Sequence, residues 1–226
     1  MPAAPEKPAA KPPTKPIVCY VTDRKSIGSA EAVESVLAKI RAAIAAGADW
    51  VQIREHDLPA RELLALVRGA VEESGGAARV IVNDRLDVAI AAGAAGVHLG
   101  ERSVPAGEVV RWCRSGNAPP EFLVGVSCHS LEEAREANGA GASYVFFGPV
   151  FDTPSKRSFG QPQGIARLAE VCRSVRLPVI AIGGVNEENG AECIRAGAAG
   201  IAAIRLFQES REPEALREAV ARIVRG

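Results

Sequence analysis

Eight short runs rich in Val, Ile and small residues punctuate this chain, and longer Ala-, Leu-, Glu- and Arg-rich stretches of helical spacing lie between them. The runs are "IVCYVTD" (17–23), "WVQIRE" (50–55), "RVIVND" (79–84), "GVHLG" (96–100), "FLVGVSC" (122–128), "YVFFGPV" (144–150), "PVIAIGG" (178–184) and "GIAAIRL" (200–206). Near-continuous apolar runs of this length suit strands buried on both faces, as in a parallel sheet covered by helices. Between them, "AEAVESVLAKIRAAIAAG", "PARELLALVRGAVEE", "SLEEAREANGAG" and "EPEALREAVARIV" predict amphipathic helices, several opened by Ser or Pro and closed by Gly. Eight βα units in about 210 residues is the count of a closed (β/α)8 TIM barrel, with a doubly wound open sheet as the alternative. "AAGADWVQI", "AAGAAGVHL", "GAGASYVFF" and "RAGAAGIAA" repeat one solution, a helix end, a Gly-rich turn and a strand.

The first sixteen residues, "MPAAPEKPAAKPPTKP", offer almost nothing to bury and are expected to form a disordered Pro/Ala/Lys-rich tail, leaving 17–226 as a single barrel domain. Lys+Arg and Asp+Glu each number 27, so no overall field draws nucleic acid or an anionic membrane. No apolar run approaches a membrane span and no signal-peptide core is present, so a cytoplasmic protein is expected. The five cysteines are scattered, with no CxxC pair, and are expected to be reduced and mostly buried. The partner these features leave is a small molecule; a homo-oligomer is compatible with them.

In a barrel of this kind, chemistry sits at the C-terminal ends of the strands. The polar residues there include Gln52, Arg54 and His56; Asn83 and Asp84; His98, Glu101, Arg102 and Ser103; Ser127 and His129; and Thr153, Ser155 and Lys156. Gln52 and Arg54 alternate onto one side of their strand, toward the barrel interior or mouth, where an arginine wants an anion. "AIGGVNEEN" brings Gly183 and Gly184, whose backbone can approach a phosphate, and Asn186, a candidate cap for the next helix. "GPVFDTPSKRSFGQPQG" reads as a mobile lid with anion-binding side chains, ending at Gly164 before a helix. "GVSCHSLEEA" delivers Ser127 and His129 to the mouth, with Ser130 or His129 entering the next helix and Glu133 placed for a capping box.

Taken together, "YVTDR", "VQIREHD", "VNDRLDVA", "GVHLGERS", "GVSCHSLEEA", "GPVFDTPSK" and "AIGGVNEEN" resemble the thiamin phosphate synthase and TenI family over residues 17 to about 207. The resemblance implies a TIM barrel binding a phosphate-bearing small molecule. Its synthase branch joins hydroxymethylpyrimidine diphosphate to a thiazole phosphate with Mg2+, implying substrate roles for Gln52, Arg54, Asn83, Ser127 and Lys156, thiazole-phosphate binding by Gly164, Gly183 and Gly184, and a metal role for Asp84. Two members of that pattern are replaced: its diphosphate-binding Lys is here His56, and its second metal-binding Asp is here Ser103. The family's "VS" in the last strand is replaced by Ile204 and Arg205. Because "HSLEEA" and the "RS" of "LGERS" look like the TenI branch, the expected activity is thiazole tautomerase, a metal-free proton transfer with His129 as the catalytic group. Thiamin phosphate synthase is the alternative, followed by a non-catalytic, regulatory thiazole-phosphate-binding protein.

Overall fold

Alternation within each apolar run sends one set of side chains toward the helices and the other toward a common axis. The computed structural model describes residues 15–27, 33–152, 161–210 and 212–225. Among them the strands are β1 (Ile17–Val21), β2 (Trp50–Ile53), β3 (Arg79–Asn83), β4 (Gly96–Leu99), β5 (Leu123–Cys128), β6 (Tyr144–Phe147), β7 (Val179–Ile182) and β8 (Gly200–Ala203). Each lies parallel to its sequence neighbour, and β8 returns to β1 to close the barrel, which excludes the open sheet. Val18, Val51, Val80, Val97, Val124 and Val145 face outward, where they join the helices in one apolar cluster. Cys19, Trp50, Ile81, Tyr144, Phe146, Ile180 and Ala202 fill the inside as a second. A Val-rich strand is thus buried on both faces, which is why its sequence shows so little polar alternation.

The helices close over that outer surface with one apolar stripe each. α1 (Val33–Ala45) buries Val36, Ile40 and Ala43, and α2 (Ala60–Ser74) buries Leu63, Leu66, Val67 and Ala70 at helical spacing. α3 (Leu86–Ala92) and α4 (Ala106–Trp112) follow β3 and β4. α5 (Leu131–Ala140) starts at Ser130, whose hydroxyl accepts the Glu133 N–H at 3.1 Å. The Glu133 carboxylate reaches back to the His129 N–H, one residue before the cap, so the expected box is present with its second arm displaced. α6 (Gly164–Ser174), α7 (Gly190–Arg195), a four-residue α8 (Arg205–Gln208) and α9 (Pro213–Arg225) complete the circuit.

Every strand is shorter than its apolar run, and for three of them the structure shows what ends it. β2 stops at Ile53 because Glu55 turns back to β1. β6 stops at Phe147, where Gly148–Asp152 crosses to the end of β7, with the Val150 N–H donating to the Ile182 carbonyl at 2.9 Å. β8 stops at Ala203, and Arg205 starts α8 instead of ending the strand, because Phe207 turns in against Tyr20 with ring centroids 5.1 Å apart. At the N-terminus the expected tail falls outside the described residues except for Lys15 and Pro16, and Lys15 pairs with Asp49 at 2.6 Å. All five cysteines are free thiols, three of them buried. Among the described residues, no helix is long and apolar enough to cross a membrane.

Candidate functional site

The C-terminal ends of β1 to β5 gather a polar floor and rim. Gln52 points inward from β2, is only 2% exposed, and donates its Nε2–H to the Asn83 Oδ1 on β3 at 2.9 Å. Its Oε1 is buried and has no hydrogen-bond partner. A buried amide oxygen in that state is an acceptor waiting for a donor. Asp84 follows at φ 63°, a left-handed conformation that Asp tolerates better than most side chains, and is held there by its N–H donating to the His98 carbonyl at 2.8 Å.

Between Arg54 and His56 lies Glu55, which sequence reasoning passed over. Glu55 is buried, accepts the Thr22 hydroxyl at 2.6 Å and the Arg24 backbone N–H at 3.0 Å, and so ties the end of β1 to the end of β2. The same Thr22 oxygen accepts the Arg54 N–H at 3.0 Å. Only the alternation of apolar Ile53 with a second outward position could have hinted at this, and a charged residue there reads as solvated until the fold covers it. Burial pushes the Glu55 carboxyl above its ordinary value of 4.5, against the Thr22 and Arg24 donors that favour the charged form. A carboxyl raised in the folded state stabilises the fold fully below its unfolded pKa, a contribution lost as pH rises through the folded value. Glu55→Gln keeps an acceptor for both donors and cannot titrate. Melting wild type and variant side by side from pH 7 down toward 4.5 is therefore expected to show wild type gaining on the variant; a constant gap would mean that Glu55 carries no such burden.

His56 is exposed at the rim. Partial desolvation lowers its pKa first, Arg54 and Arg102 lower it further, and Asp84 and Asp57 oppose them. These charged groups and His56 therefore share one electrostatic neighbourhood. Arg102 brings a permanent cation to the place where the loss of Lys at position 56 was expected to remove one. Ser103 acts locally, its hydroxyl accepting the Gly100 N–H at 2.8 Å inside the turn after β4.

On β5, the Ser127 hydroxyl meets the His98 Nε2 at 2.9 Å. His98 is not a rim residue as expected; it is 1% exposed and lies inside the barrel. His129 is partly buried, and its Nδ1 contacts the Gly148 carbonyl at 2.5 Å, so Nδ1 carries the hydrogen and the ring braces the start of the β6–α6 connection. That connection explains the paired glycines. Gly183 and Gly184 have φ of 90° and 69°, and a Cβ at either would fall 2.6 Å from Pro149 Cα or 2.7 Å from the Asp152 carbonyl oxygen. Gly164 has φ 74°, and its N–H is already engaged by the Val150 carbonyl at 3.0 Å. Asn186 accepts the Glu188 and Asn189 N–H groups at 2.9 and 3.1 Å in the preceding turn, whereas the cap position of α7 belongs to Asn189. Thr153, Ser155 and Lys156, with the lid they were expected to form, lie outside the described residues.

Residues 18–207 match the family described as "Thiamine monophosphate synthase". The chain belongs to that family. It is 40% identical over 225 residues to a thiamine-phosphate synthase of Roseiflexus sp. (strain RS-1), covering 99% of this chain and 92% of that protein. It is 41% identical over 194 residues to a putative thiamine-phosphate synthase of Geobacter sulfurreducens, covering 85% and 87%. The solved thiamine phosphate pyrophosphorylase from Pyrococcus furiosus superposes with a TM-score of 0.79 at 31% identity over 92% of this chain and 95% of that one. These likenesses overturn the tautomerase expectation. The physical reason lies at the rim: His56 and Ser103 point to the TenI branch when read alone, but the positive charges of Arg54 and Arg102 are both felt at His56, so the change from Lys does not strip the site of positive charge.

Proposed function

We propose that this chain is a thiamine-phosphate synthase. The observation that carries the reading is its likeness, along nearly its whole length, to proteins bearing that name. In the reaction, the thiazole nitrogen attacks the methylene of hydroxymethylpyrimidine diphosphate. A C–N bond forms, the C–O bond to diphosphate breaks, and the electron pair leaves with the diphosphate.

The polar floor suits the pyrimidine. The unpartnered Gln52 Oε1 accepts from its amino group, while the bond to Asn83 fixes the amide's orientation. Arg54 and His56 at the rim and Ser127 on β5 surround the departing diphosphate, whose charge grows as the C–O bond breaks; Lys156, outside the described residues, is a further candidate from the sequence alone. Gly183, Gly184 and the first turn of α6 at Gly164 receive the thiazole phosphate. Among the described residues no group of three His, Cys, Asp or Glu side chains is set to hold a metal ion. The Asp84 carboxylate at the end of β3 would be the protein's oxygen ligand for Mg2+, a hard cation usually bound by one or two carboxylates together with substrate phosphates. When bound, the ion supplies neutralisation of the leaving group.

The test is direct: incubate the full chain with both substrates and Mg2+ and follow thiamin phosphate and inorganic diphosphate by chromatography. Equimolar appearance of the two is expected. Binding of either substrate without turnover would leave a ligand-binding protein and end the synthase reading.

A further inference from the structure

Inside the barrel, one level below the mouth, three side chains from β6, β4 and β5 touch in a row. His98, Gly125 and Tyr144 are lateral neighbours in the strand register. Because position 125 has no side chain, the Tyr144 ring lies across it and its hydroxyl reaches His98 Nδ1 at 3.0 Å. The other ring nitrogen, Nε2, meets the Ser127 Oγ at 2.9 Å. Ser127 is two residues further along β5 than Gly125, on the same face and nearer the mouth. Phe146 packs on the imidazole with centroids 4.3 Å apart, and Trp50 meets the Tyr144 ring edge-on at 4.7 Å, so neither ring has room to turn.

The proton order in this row follows from satisfying buried groups. Tyr144 is completely buried, and among the described residues its hydroxyl has His98 Nδ1 as its hydrogen-bond partner. Burial also pushes its ionisation well above the ordinary range, so it keeps its hydrogen. A buried O–H without an acceptor is costly and rare, so the hydroxyl donates to Nδ1, which must then be bare. The single imidazole hydrogen is left on Nε2 and is donated to Ser127 Oγ. Ser127 accepts from below and keeps its own hydrogen to offer above. In the opposite tautomer the Ser127 hydroxyl would be drawn down to Nε2, and its lone pairs would face the mouth and repel an anion.

We infer that Tyr144 and His98 are positioning residues: a buried relay that fixes the imidazole tautomer so that Ser127 presents its hydroxyl hydrogen to the diphosphate in the mouth. The identity of that anion rests on the synthase reading; the direction of the relay does not.

Two measurements separate these. 15N NMR of imidazole-labelled protein without ligand, with His98 assigned by comparison with His98→Gln, is expected to show His98 as the Nε2–H tautomer. Tyr144→Phe is expected to release that lock and produce a tautomer mixture. Calorimetric titration with inorganic diphosphate and Mg2+ then reads the consequence. Tyr144→Phe, His98→Leu and Ser127→Ala are each expected to weaken binding about tenfold, in line with loss of a hydrogen bond to a charged group. Tyr144→Phe is expected to add nothing on the Ser127→Ala background, and His98→Gln, which carries an N–H near the Nε2 position, to recover most of the loss. An Nδ1–H tautomer or an imidazolium in the wild type, or a lock unchanged in Tyr144→Phe, would overturn the relay. Additive losses in the double variant would overturn it too. Failure of the wild type to bind diphosphate would sink the synthase reading instead, while the tautomer would still decide the relay.

Discussion

Gly125→Ala is expected to cost the fold about 2–4 kcal/mol, a drop of roughly 5–15 °C in melting temperature for a chain of this size. The backbone at Gly125 is ordinary extended strand, so the penalty comes from space. A Cβ there would sit 2.1 Å from Tyr144 Cζ and 2.4 Å from its hydroxyl oxygen, far inside contact distance. Tyr144 cannot give way easily, because Trp50, Phe146 and His98 hold its ring on several sides. The strand must bow or the ring must leave, and in the second case the His98 Nδ1 loses its donor as well. Calorimetry of Gly125→Ala, Tyr144→Leu and the double variant tests the cause. If the clash is with Tyr144, the double variant loses much less than the sum of the two single changes, since removing the ring vacates the place the methyl needs. Additive losses would locate the damage elsewhere.

Gly125 also marks how far the sequence can be read. The apolar runs, the helical spacing and the glycine punctuation follow from local chemistry, and they suffice for the eight strands and their closure. Which residue lies beside which depends on strand register, and register is invisible in one chain read alone. His98 looks like a strand-end polar group in the sequence; its pairing with a tyrosine 46 residues away emerges only once β4, β5 and β6 are aligned. Glu55 escapes for the same reason, since its partners Thr22 and Arg24 come from another strand end. Gly183 and Gly184 stand out for their backbone reach toward a phosphate, and the crossing segment at Pro149–Asp152 gives a second, steric reason for them that the sequence does not reveal. Substitution by substitution, His56 and Ser103 look like departures from a synthase. Arg102, brought to His56 by the turn after β4, shows why counting single replacements misjudges the charge of the site.

Asp84→Asn is expected to reduce the rate of thiamin phosphate formation about 10²–10³-fold at saturating substrates, the scale on which removal of one charge-stabilising group is felt. Asn accepts the left-handed backbone that Asp84 adopts at φ 63°, and the backbone bond from its N–H to the His98 carbonyl is unchanged by the substitution. Melting temperature should therefore stay close to wild type, which separates a lost charge from a lost fold. On the synthase reading a lone carboxylate beside a leaving diphosphate would repel it, so the value of Asp84 would lie in the cation it would hold for the substrate. The opposite change supplies the complement. Ser103→Asp keeps an acceptor for the Gly100 N–H, because Asp forms the same kind of local turn, and adds a second carboxylate at the end of β4. It is expected to lower the Mg2+ concentration for half-maximal rate about tenfold, equivalent to about 1.4 kcal/mol of tighter binding. If Asp84→Asn left both the rate and its Mg2+ dependence untouched, the ion would not be held on β3. If Ser103→Asp had no effect on Mg2+ dependence while Asp84→Asn removed activity, the turn after β4 would lie out of reach of the ion, and its contribution to the site would be Arg102 alone.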